Sequence, residues 1–175
     1  MKKFNNIPNK FYKVDDKIIW DSRSVAVIAF IILEKDNDIY VLIGQRGTGA
    51  PDNNGLWNCP CGYLDRNETG SEAIDREVWE ETGFDIDTIK NPIIDYMKQP
   101  WFVNTDPSEN RQNVSLRYGA YFKSDILPEL TDENSEPNEI ADLKWEKVKN
   151  LDKYDWAYNH DKKIVEFLEL INDKL

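Results

Sequence analysis

Cysteine and histidine are scarce in this sequence: its 175 residues include two cysteines and one histidine. Cys59 and Cys61 are too close along the chain for an ordinary structural disulfide, so we interpret them as thiols of a cytoplasmic protein rather than as a metal-binding pair. His160 precedes the last helical segment, far from the acidic segment described below. We therefore predict that it is a surface or helix-capping residue.

Positive charge is also in short supply, since 22 Lys and Arg face 33 Asp and Glu, a formal net charge of −11. This balance argues against nonspecific binding to nucleic acid or anionic membranes. It still permits an anionic small substrate, because bound cations can reverse the local field. No segment is long enough to span a bilayer, and Lys2-Lys3 precede no signal-peptide core. We expect a cytoplasmic protein that binds neither duplex nucleic acid nor membranes.

Apolar residues make up 40% of the chain and six residues are tryptophan, which suits a folded core. Without repeats or linkers, residues 1–175 are predicted to form one domain, with residues 1–20 as an N-terminal arm or hairpin. Residues 24–33 (SVAVIAFIIL) predict a strand buried on both faces. The other predicted elements are strands at 39–43, 114–122 and 139–148, strand-like material at 86–103, loops at 44–55 and 125–138, and an amphipathic helix at 162–175.

The most informative segment is residues 62–84, which read GYLDRNETGSEAIDREVWEETGF. Its carboxylates Glu77, Glu80 and Glu81 are spaced i, i+3 and i+4, so a helix would crowd them on one face. Like charges at this spacing cost a few tenths of a kcal/mol per pair, and the helix dipole disfavours anions near a C-terminus. Divalent cations such as Mg²⁺ and Mn²⁺ prefer oxygen ligands and would neutralise such a cluster.

The flanks of this segment define the helix. Thr69 and Glu72 have the spacing of a capping box, and Gly83 is suited to the left-handed conformation that ends a helix. The opposite side carries apolar residues for a core, namely Ala73, Ile74 and Val78. The sequence therefore predicts a helix with a core face and an acidic face.

These residues resemble a known signature. Gly62, Glu68, Arg76-Glu77-Val78, Glu80-Glu81 and Gly83-Phe84 match the Nudix box in every fixed position. The resemblance implies an α/β (α+β) fold, a Nudix-like αβα sandwich with a mixed β-sheet between helices. It also implies an enzyme that uses Mg²⁺ or Mn²⁺ to hydrolyse a phosphoanhydride in a nucleoside diphosphate linked to another group.

The resemblance also implies roles for individual residues. Glu77, Glu80 and Glu81 would hold the metal together with the backbone carbonyl of Cys61, which replaces the first glycine of the usual Pro-Gly-Gly. This replacement affects loop geometry more than metal binding, because any residue offers a carbonyl. Arg76 would orient the carboxylates and screen their repulsion. Glu68 is either a further or outer metal ligand or a plain loop carboxylate.

The general base is expected in a mobile loop after the box, as in many members of the family. Glu139 is our first choice and Glu136 the second, although a box glutamate is a third option and both loop acids could be merely solvated. The loop at 125–138 has two prolines and several acids, so it is expected to close over bound substrate.

Substrate contacts are predicted at two places. Arg46 follows a strand end and would reach phosphate, or else is a solvated arginine. Trp101 and Phe102 offer rings for stacking or belong to the core, and Trp57 and Tyr63 are weaker candidates.

The substrate class rests on the resemblance. Pro100 lies at the distance past the box that accompanies ADP-ribose hydrolysis in the family. ADP-ribose or a related nucleotide sugar or dinucleotide is therefore the expected substrate. The alternatives are a (d)NTP pyrophosphohydrolase of the house-cleaning type and a sensor that binds such a ligand without turnover. The expected partner is a nucleotide-derivative small molecule, and a homodimer is the oligomer to consider.

Overall fold

The computed structural model describes residues 8–107 and 113–174. Its strands are β1 (Lys10–Val14), β2 (Lys17–Asp21), β3 (Val25–Lys35), β4 (Asp38–Arg46), β5 (Trp57–Asn58), β6 (Cys61–Tyr63), β7 (Ile94–Asp95), β8 (Phe102–Asn104), β9 (Val114–Lys123) and β10 (Ile140–Lys147). Its helices are α1 (Gly70–Thr82) and α2 (His160–Asn172), with short 3₁₀ helices at Ile86–Thr88, Val148–Lys153 and Ala157–Asn159.

A mixed sheet forms the centre of the molecule, with strand order β10-β4-β3-β9-β7. The short strands β5, β6 and β8 extend it by pairing with β4, β3 and β9. β3 runs parallel to β9 and antiparallel to β4 and β6. A strand in this position is covered on both faces, which is the physical reason for the nearly continuous apolar run that predicted it.

The two helices cover opposite faces of this sheet, because alternate residues of a strand point to opposite sides. The odd-numbered residues 27–33 of β3 share a hydrophobic cluster with Ile74 and Val78 of α1. The even-numbered residues 28–32 share a second cluster with Ile164 and Phe167 of α2. This layering confirms the predicted αβα sandwich around a mixed sheet.

Helix α1 begins and ends where the sequence predicts. The Thr69 hydroxyl accepts a hydrogen bond from the Glu72 amide at 3.3 Å, and the Glu72 carboxylate accepts one from the Thr69 amide at 2.7 Å. Gly83 ends the helix with φ 64° and donates its amide to the Trp79 carbonyl at 2.9 Å. Both cap residues thus fix the register in which the acidic face of α1 is presented.

Several boundaries differ from the sequence predictions. β4 continues through Arg46, so this arginine lies within the strand rather than beyond its end. The strand-like region at 86–103 begins with the 3₁₀ helix Ile86–Thr88 and forms only the short strands β7 and β8. The C-terminal helix begins at His160, two residues earlier than predicted, and Leu175 lies outside the described residues.

The N-terminal arm forms a hairpin, in which β1 pairs with β2 in a two-stranded sheet of its own. Every residue of β1 is exposed. Residues 1–7 of the predicted arm lie outside the described residues. Among the helices that are described, none has the length and apolarity needed to cross a membrane.

Replacing Gly83 with alanine should destabilise the fold more than the same change at Gly55. Both glycines have positive φ, 64° and 81°, so each alanine carries the cost of the left-handed region, about 1–2 kcal/mol. A Cβ at Gly83 would also lie 2.4 Å from the Thr131 Cγ2 atom, whereas a Cβ at Gly55 would meet no atom within 4 Å. Denaturant unfolding of both variants measures the difference. Equal losses would show that crowding against Thr131 has no cost.

Candidate active site

The acidic face of α1 is organised by one guanidinium group. Arg76 donates from Nη1 to Glu77 Oε1 at 2.8 Å and to Glu80 Oε2 at 3.0 Å. Its Nη2 donates to Glu68 Oε1 at 2.8 Å. The hydrogen bonds from Arg76 lower the pKa of the Glu68 carboxyl. Arg76 therefore holds three carboxylates together and screens their mutual repulsion, the role predicted for it from the sequence.

Glu81 is the most enclosed carboxylate of this group, with 5% of its surface exposed. Burial raises its pKa well above the ordinary value, and the charges of Glu77 and Glu139 raise it further. The Cys61 amide donates to Glu81 Oε2 at 3.2 Å. Burial likewise raises the pKa of Glu77, against the lowering effect of Arg76. Both groups are thus destabilised as anions unless positive charge comes close to them.

Position 62 has no room for a side chain, because the Glu77 carboxylate lies against the Gly62 backbone. A Cβ atom at position 62 would lie 2.2 Å from the Glu77 Cδ and Oε1 atoms, far inside van der Waals contact. In β6, Gly62 is paired with Val27 on the α1 side of the sheet, whereas Cys61 is paired with Ile28 on the α2 side. The strand therefore lets the helix carboxylate approach its backbone on one side and places a thiol on the other.

Carboxylates are suitable ligands for a hard divalent cation, but three of those near α1 are arranged around the Arg76 guanidinium. Across residues 8–107 and 113–174, no three His, Cys, Asp or Glu side chains stand close enough around one point to hold an ion. Glu77 and Glu80 are both bound to the guanidinium, so an ion would share or replace those contacts. Carboxylate and carbonyl oxygens are nevertheless the ligands that Mg²⁺ and Mn²⁺ prefer.

A cavity of about 590 Å³ adjoins this cluster at Cys61 and Gly62. It extends from there to the start of α2. Its polar wall includes Arg46, Ser115, Glu139, His160 and Lys163, and its aromatic wall is formed by Tyr63, Trp156 and Tyr158. The cavity is large enough for a nucleotide-sized ligand.

Glu139 already lies at this cavity, and its charge raises the pKa of both Glu77 and Glu81. Its segment is tied to the neighbouring loop, because Gly47 donates to the Glu139 carbonyl at 2.6 Å and Gly49 donates to the Asn138 carbonyl at 2.7 Å. Glu139 thus reaches the cavity without the loop closure expected from the sequence. Glu136 is exposed and is not among the lining residues.

Arg46 is 7% exposed and is not a solvated arginine. Its Nε donates to the Asp52 carbonyl at 2.9 Å, and its Nη2 lies 3.3 Å from Asp52 Oδ1. The guanidinium also stands 5.4 Å from the centre of the Tyr158 ring. Arg46 is therefore held rigidly in the cavity wall, in a position to meet an anionic group.

The predicted stacking rings lie elsewhere. Trp101 packs against Phe30 and Phe167 in the α2-side core. Phe102 is 44% exposed, and the Arg117 guanidinium stands 4.6 Å from its ring centre. Trp57 is 7% exposed and packs against Tyr154. These three are not among the lining residues, whereas the weaker candidate Tyr63 is.

His160 is not a surface residue, so that alternative was wrong, although it does cap the 3₁₀ helix Ala157–Asn159. His160 is 1% exposed, and its Nδ1 accepts a hydrogen bond from the Cys59 amide at 3.0 Å. Burial lowers its pKa well below the ordinary value, with Lys163, Arg117 and Arg46 adding to that effect. The ring is therefore neutral and carries its proton on Nε2, because an accepting Nδ1 has none.

The cavity residues that the sequence did not suggest include Ser115, Tyr158 and Lys163. Lys163 could have been found, because it adjoins Ile164 on the face of α2 that also carries Phe167 and Ile171, where a charged residue is unusual. Ser115 and Tyr158 carry no such signal, since a serine at a strand start and a tyrosine before a helix are ordinary.

Comparison with known proteins agrees with this geometry. A family model described as "NUDIX domain" matches residues 22–168. Nudix hydrolase 19, chloroplastic, of Arabidopsis thaliana is 27% identical over 119 residues, which cover 68% of this chain and 24% of that protein. The chain thus spans about a quarter of that relative's length.

Two solved structures show the same fold. The NUDIX domain of Shewanella oneidensis NrtR complexed with ADP ribose superposes with a TM-score of 0.63 at 18% identity, covering 86% of this chain and 90% of that one. A bifunctional NMN adenylyltransferase/ADP ribose pyrophosphatase from Francisella tularensis, complexed with AMP and a Mn ion, gives 0.58 at 26% identity, covering 86% and 42%.

Replacing Arg76 with glutamine should lower the free energy of unfolding in metal-free buffer by about 1–2 kcal/mol, because three carboxylates lose a shared donor. The exposed Arg66 is the matched control, for which we expect a change within about 0.5 kcal/mol. Denaturant titrations at low salt measure both. Equal stabilities of the two variants would contradict the organising role of Arg76.

Proposed function

Because the chain belongs to the Nudix family, we propose that it hydrolyses a phosphoanhydride in a nucleoside diphosphate linked to a second group, with Mg²⁺ or Mn²⁺ bound. One observation carries this proposal: the carboxylates of α1 lie near Glu139 and beside Cys61 and Gly62, and these three residues line a cavity whose wall also holds a buried arginine. Negative charge for cations and positive charge for phosphate therefore meet at the same place.

Glu77, Glu80 and Glu81 would hold the metal, with the Cys61 carbonyl beside them and Glu68 as a further or outer ligand. The buried anion of Glu81 and the close passage of Glu77 over Gly62 fit this role, because both gain from a nearby cation. When bound, the ion neutralises phosphate oxygens and lowers the pKa of the attacking water. Arg76 would keep the carboxylates in place and neutralise those the ion does not.

Glu139 is the proposed general base. It lines the cavity and lies near enough to Glu77 and Glu81 to affect the pKa of both carboxyls. A base in this position accepts a proton from water held between the carboxylate cluster and the substrate. Arg46 would bind the phosphate, and Tyr63, Trp156 and Tyr158 offer ring faces to the remainder of the nucleotide.

ADP-ribose is the first substrate to test. We also propose that the protein is located in the cytoplasm. Of the two solved structures compared above, one has ADP ribose bound and the other is of an enzyme named ADP ribose pyrophosphatase. The experiment is a screen of nucleoside diphosphate derivatives with Mg²⁺ or Mn²⁺, with phosphate-containing products measured by chromatography. Tight binding of one compound with hydrolysis of none would refute the proposed activity.

Glu81→Gln should reduce kcat by about a hundredfold or more, because the amide keeps the shape but loses a charged ligand. Stability without metal should rise or stay level, since a buried negative charge beside Glu77 is removed. Glu80→Gln should also lose activity, whereas Glu169→Gln on the exposed side of α2 serves as the control. Full activity in both box variants would eliminate the proposed metal site.

Glu139→Gln should lower kcat by about a hundredfold or more while KM and metal affinity change little, because a general base acts mainly in the transition state. Glu136→Gln is the matched control three residues away, exposed and outside the cavity wall, and should keep a kcat near wild type. Initial rates at saturating metal measure both variants. A normal kcat in Glu139→Gln would reject the assignment and direct attention to a box glutamate.

A further inference from the structure

Several hydrogen-bond donors lie where the cavity meets the start of α2. Asn159 and His160 begin the helix, and Lys163 lies one turn later on the same face. No side chain caps this helix at Asn159, and the α2 N-terminus carries the positive end of the helix dipole. Lys163 is only 5% exposed, so a cation is held inside the wall of a cavity in an acidic protein.

A second and independent observation concerns Ser115 of β9. This residue lines the same cavity and is 5% exposed. Its hydroxyl oxygen has no hydrogen-bond partner within the part of the chain that the structure describes. A buried hydroxyl without a partner is costly, so an unfilled position beside a cavity indicates a polar ligand group.

His160 contributes a donor of fixed direction. Its Nδ1 is occupied as an acceptor by the Cys59 amide, which leaves Nε2–H as the free donor of the neutral ring. Two residues before His160, Tyr158 has a φ of 57°. The other described non-glycine residues with positive φ are all Asn or Asp. This costly backbone turn brings Tyr158, Asn159 and His160 to the cavity together.

The charges around this end of the cavity favour an anion. Two carboxylates line the cavity, those of Asp52 and Glu139. The Asp52 carboxylate is already engaged by Arg46 and by the Tyr158 hydroxyl, 3.3 and 2.6 Å away. Glu139 lies near the carboxylates of α1, because its charge raises the pKa of both Glu77 and Glu81. The carboxylate that contacts Tyr158 is therefore already partnered, which favours an anionic ligand at the start of α2.

We infer that Ser115, His160 and Lys163 form a subsite that binds a phosphoryl group of the substrate, apart from the carboxylate cluster of α1. This inference rests on the proposed function insofar as it takes the substrate to be a nucleotide derivative. The phosphoryl group has two sources: the part of the anhydride that is not attacked, or an additional phosphate on the nucleotide. The shared chemistry is an oxyanion that accepts from a lysine, a hydroxyl and an imidazole N–H.

The test is equilibrium binding in excess EDTA, which prevents turnover and removes any ion from the carboxylates. The probes are inorganic phosphate, ADP-ribose and 2′-phospho-ADP-ribose, with affinity measured by calorimetry and by intrinsic tryptophan fluorescence. Lys163→Met keeps the length of the side chain and removes its charge. We expect it to weaken binding about tenfold or more, the size of a charge-assisted contact. The neighbouring Lys162 is exposed, so Lys162→Met is the matched control and should bind as wild type.

The three probes separate the two sources. An equal loss for ADP-ribose and 2′-phospho-ADP-ribose in Lys163→Met assigns the subsite to the anhydride, and a larger loss for the phosphorylated probe assigns it to an additional phosphate. Indistinguishable affinities of Lys163→Met and Lys162→Met for every probe would overturn the inference. Failure of the wild-type protein to bind any of the probes would overturn it as well.

Ser115→Ala provides a second variant whose folding is secure, because its hydroxyl makes no hydrogen bond to the described residues. It should bind the probes severalfold more weakly with an unchanged Tm. The Tm of Lys163→Met is measured beside it, so that affinities are compared between folded proteins. Binding in EDTA with no hydrolysis in Mn²⁺ would refute the proposed function and leave the subsite intact. Hydrolysis with no effect of Lys163 or Ser115 on affinity would refute the subsite alone.

Discussion

Repulsion among the carboxylates of α1 is the constraint on which the rest of the site depends. Four glutamates, Glu68, Glu77, Glu80 and Glu81, lie on or next to one helix face, and Arg76 contacts the first three. Glu81 is left buried with the Cys61 amide as its donor. One guanidinium cannot neutralise four carboxylates, so the fold retains an excess of negative charge at a fixed place. This excess favours a cation, at the cost of stability when none is bound.

The sheet connects this cluster to the cavity through two neighbouring residues with opposite orientations. Gly62 faces α1 and leaves room for Glu77, whereas Cys61 faces the α2 side and enters the cavity wall. The replacement of a glycine by Cys61 is tolerated for this reason, because its side chain lies on the open side of the strand. The Cys61 thiol accepts a hydrogen bond from the side-chain Nδ2 of Asn58 at 3.3 Å, and burial raises the pKa of the Cys61 thiol to about 12. It is therefore a neutral part of the wall rather than a nucleophile.

The elements with strong periodicity could be predicted from the sequence, and those shaped by tertiary contacts could not. The ends of α1 followed from Thr69, Glu72 and Gly83 because caps are local interactions. The carboxylate face followed from spacing alone. By contrast, the buried His160 is bound by the backbone amide of Cys59, which lies 101 residues away along the chain. Trp101 and Phe102 were predicted as stacking rings, because a sequence does not show that Trp101 packs against Phe167 or that both rings lie outside the cavity wall.

The distribution of charge is the least predictable feature and the one most directly tied to function. A net charge of −11 says little about a cavity whose wall buries Arg46 and Lys163. Buried charges interact more strongly than exposed ones, since less water screens them, so Arg46 and Lys163 act on a bound anion more strongly than the surface carboxylates do. A phosphate-bearing substrate would thus meet repulsion from the outer surface and attraction inside. Entry of such a substrate would depend on ionic strength, and its retention would depend on groups that salt cannot reach.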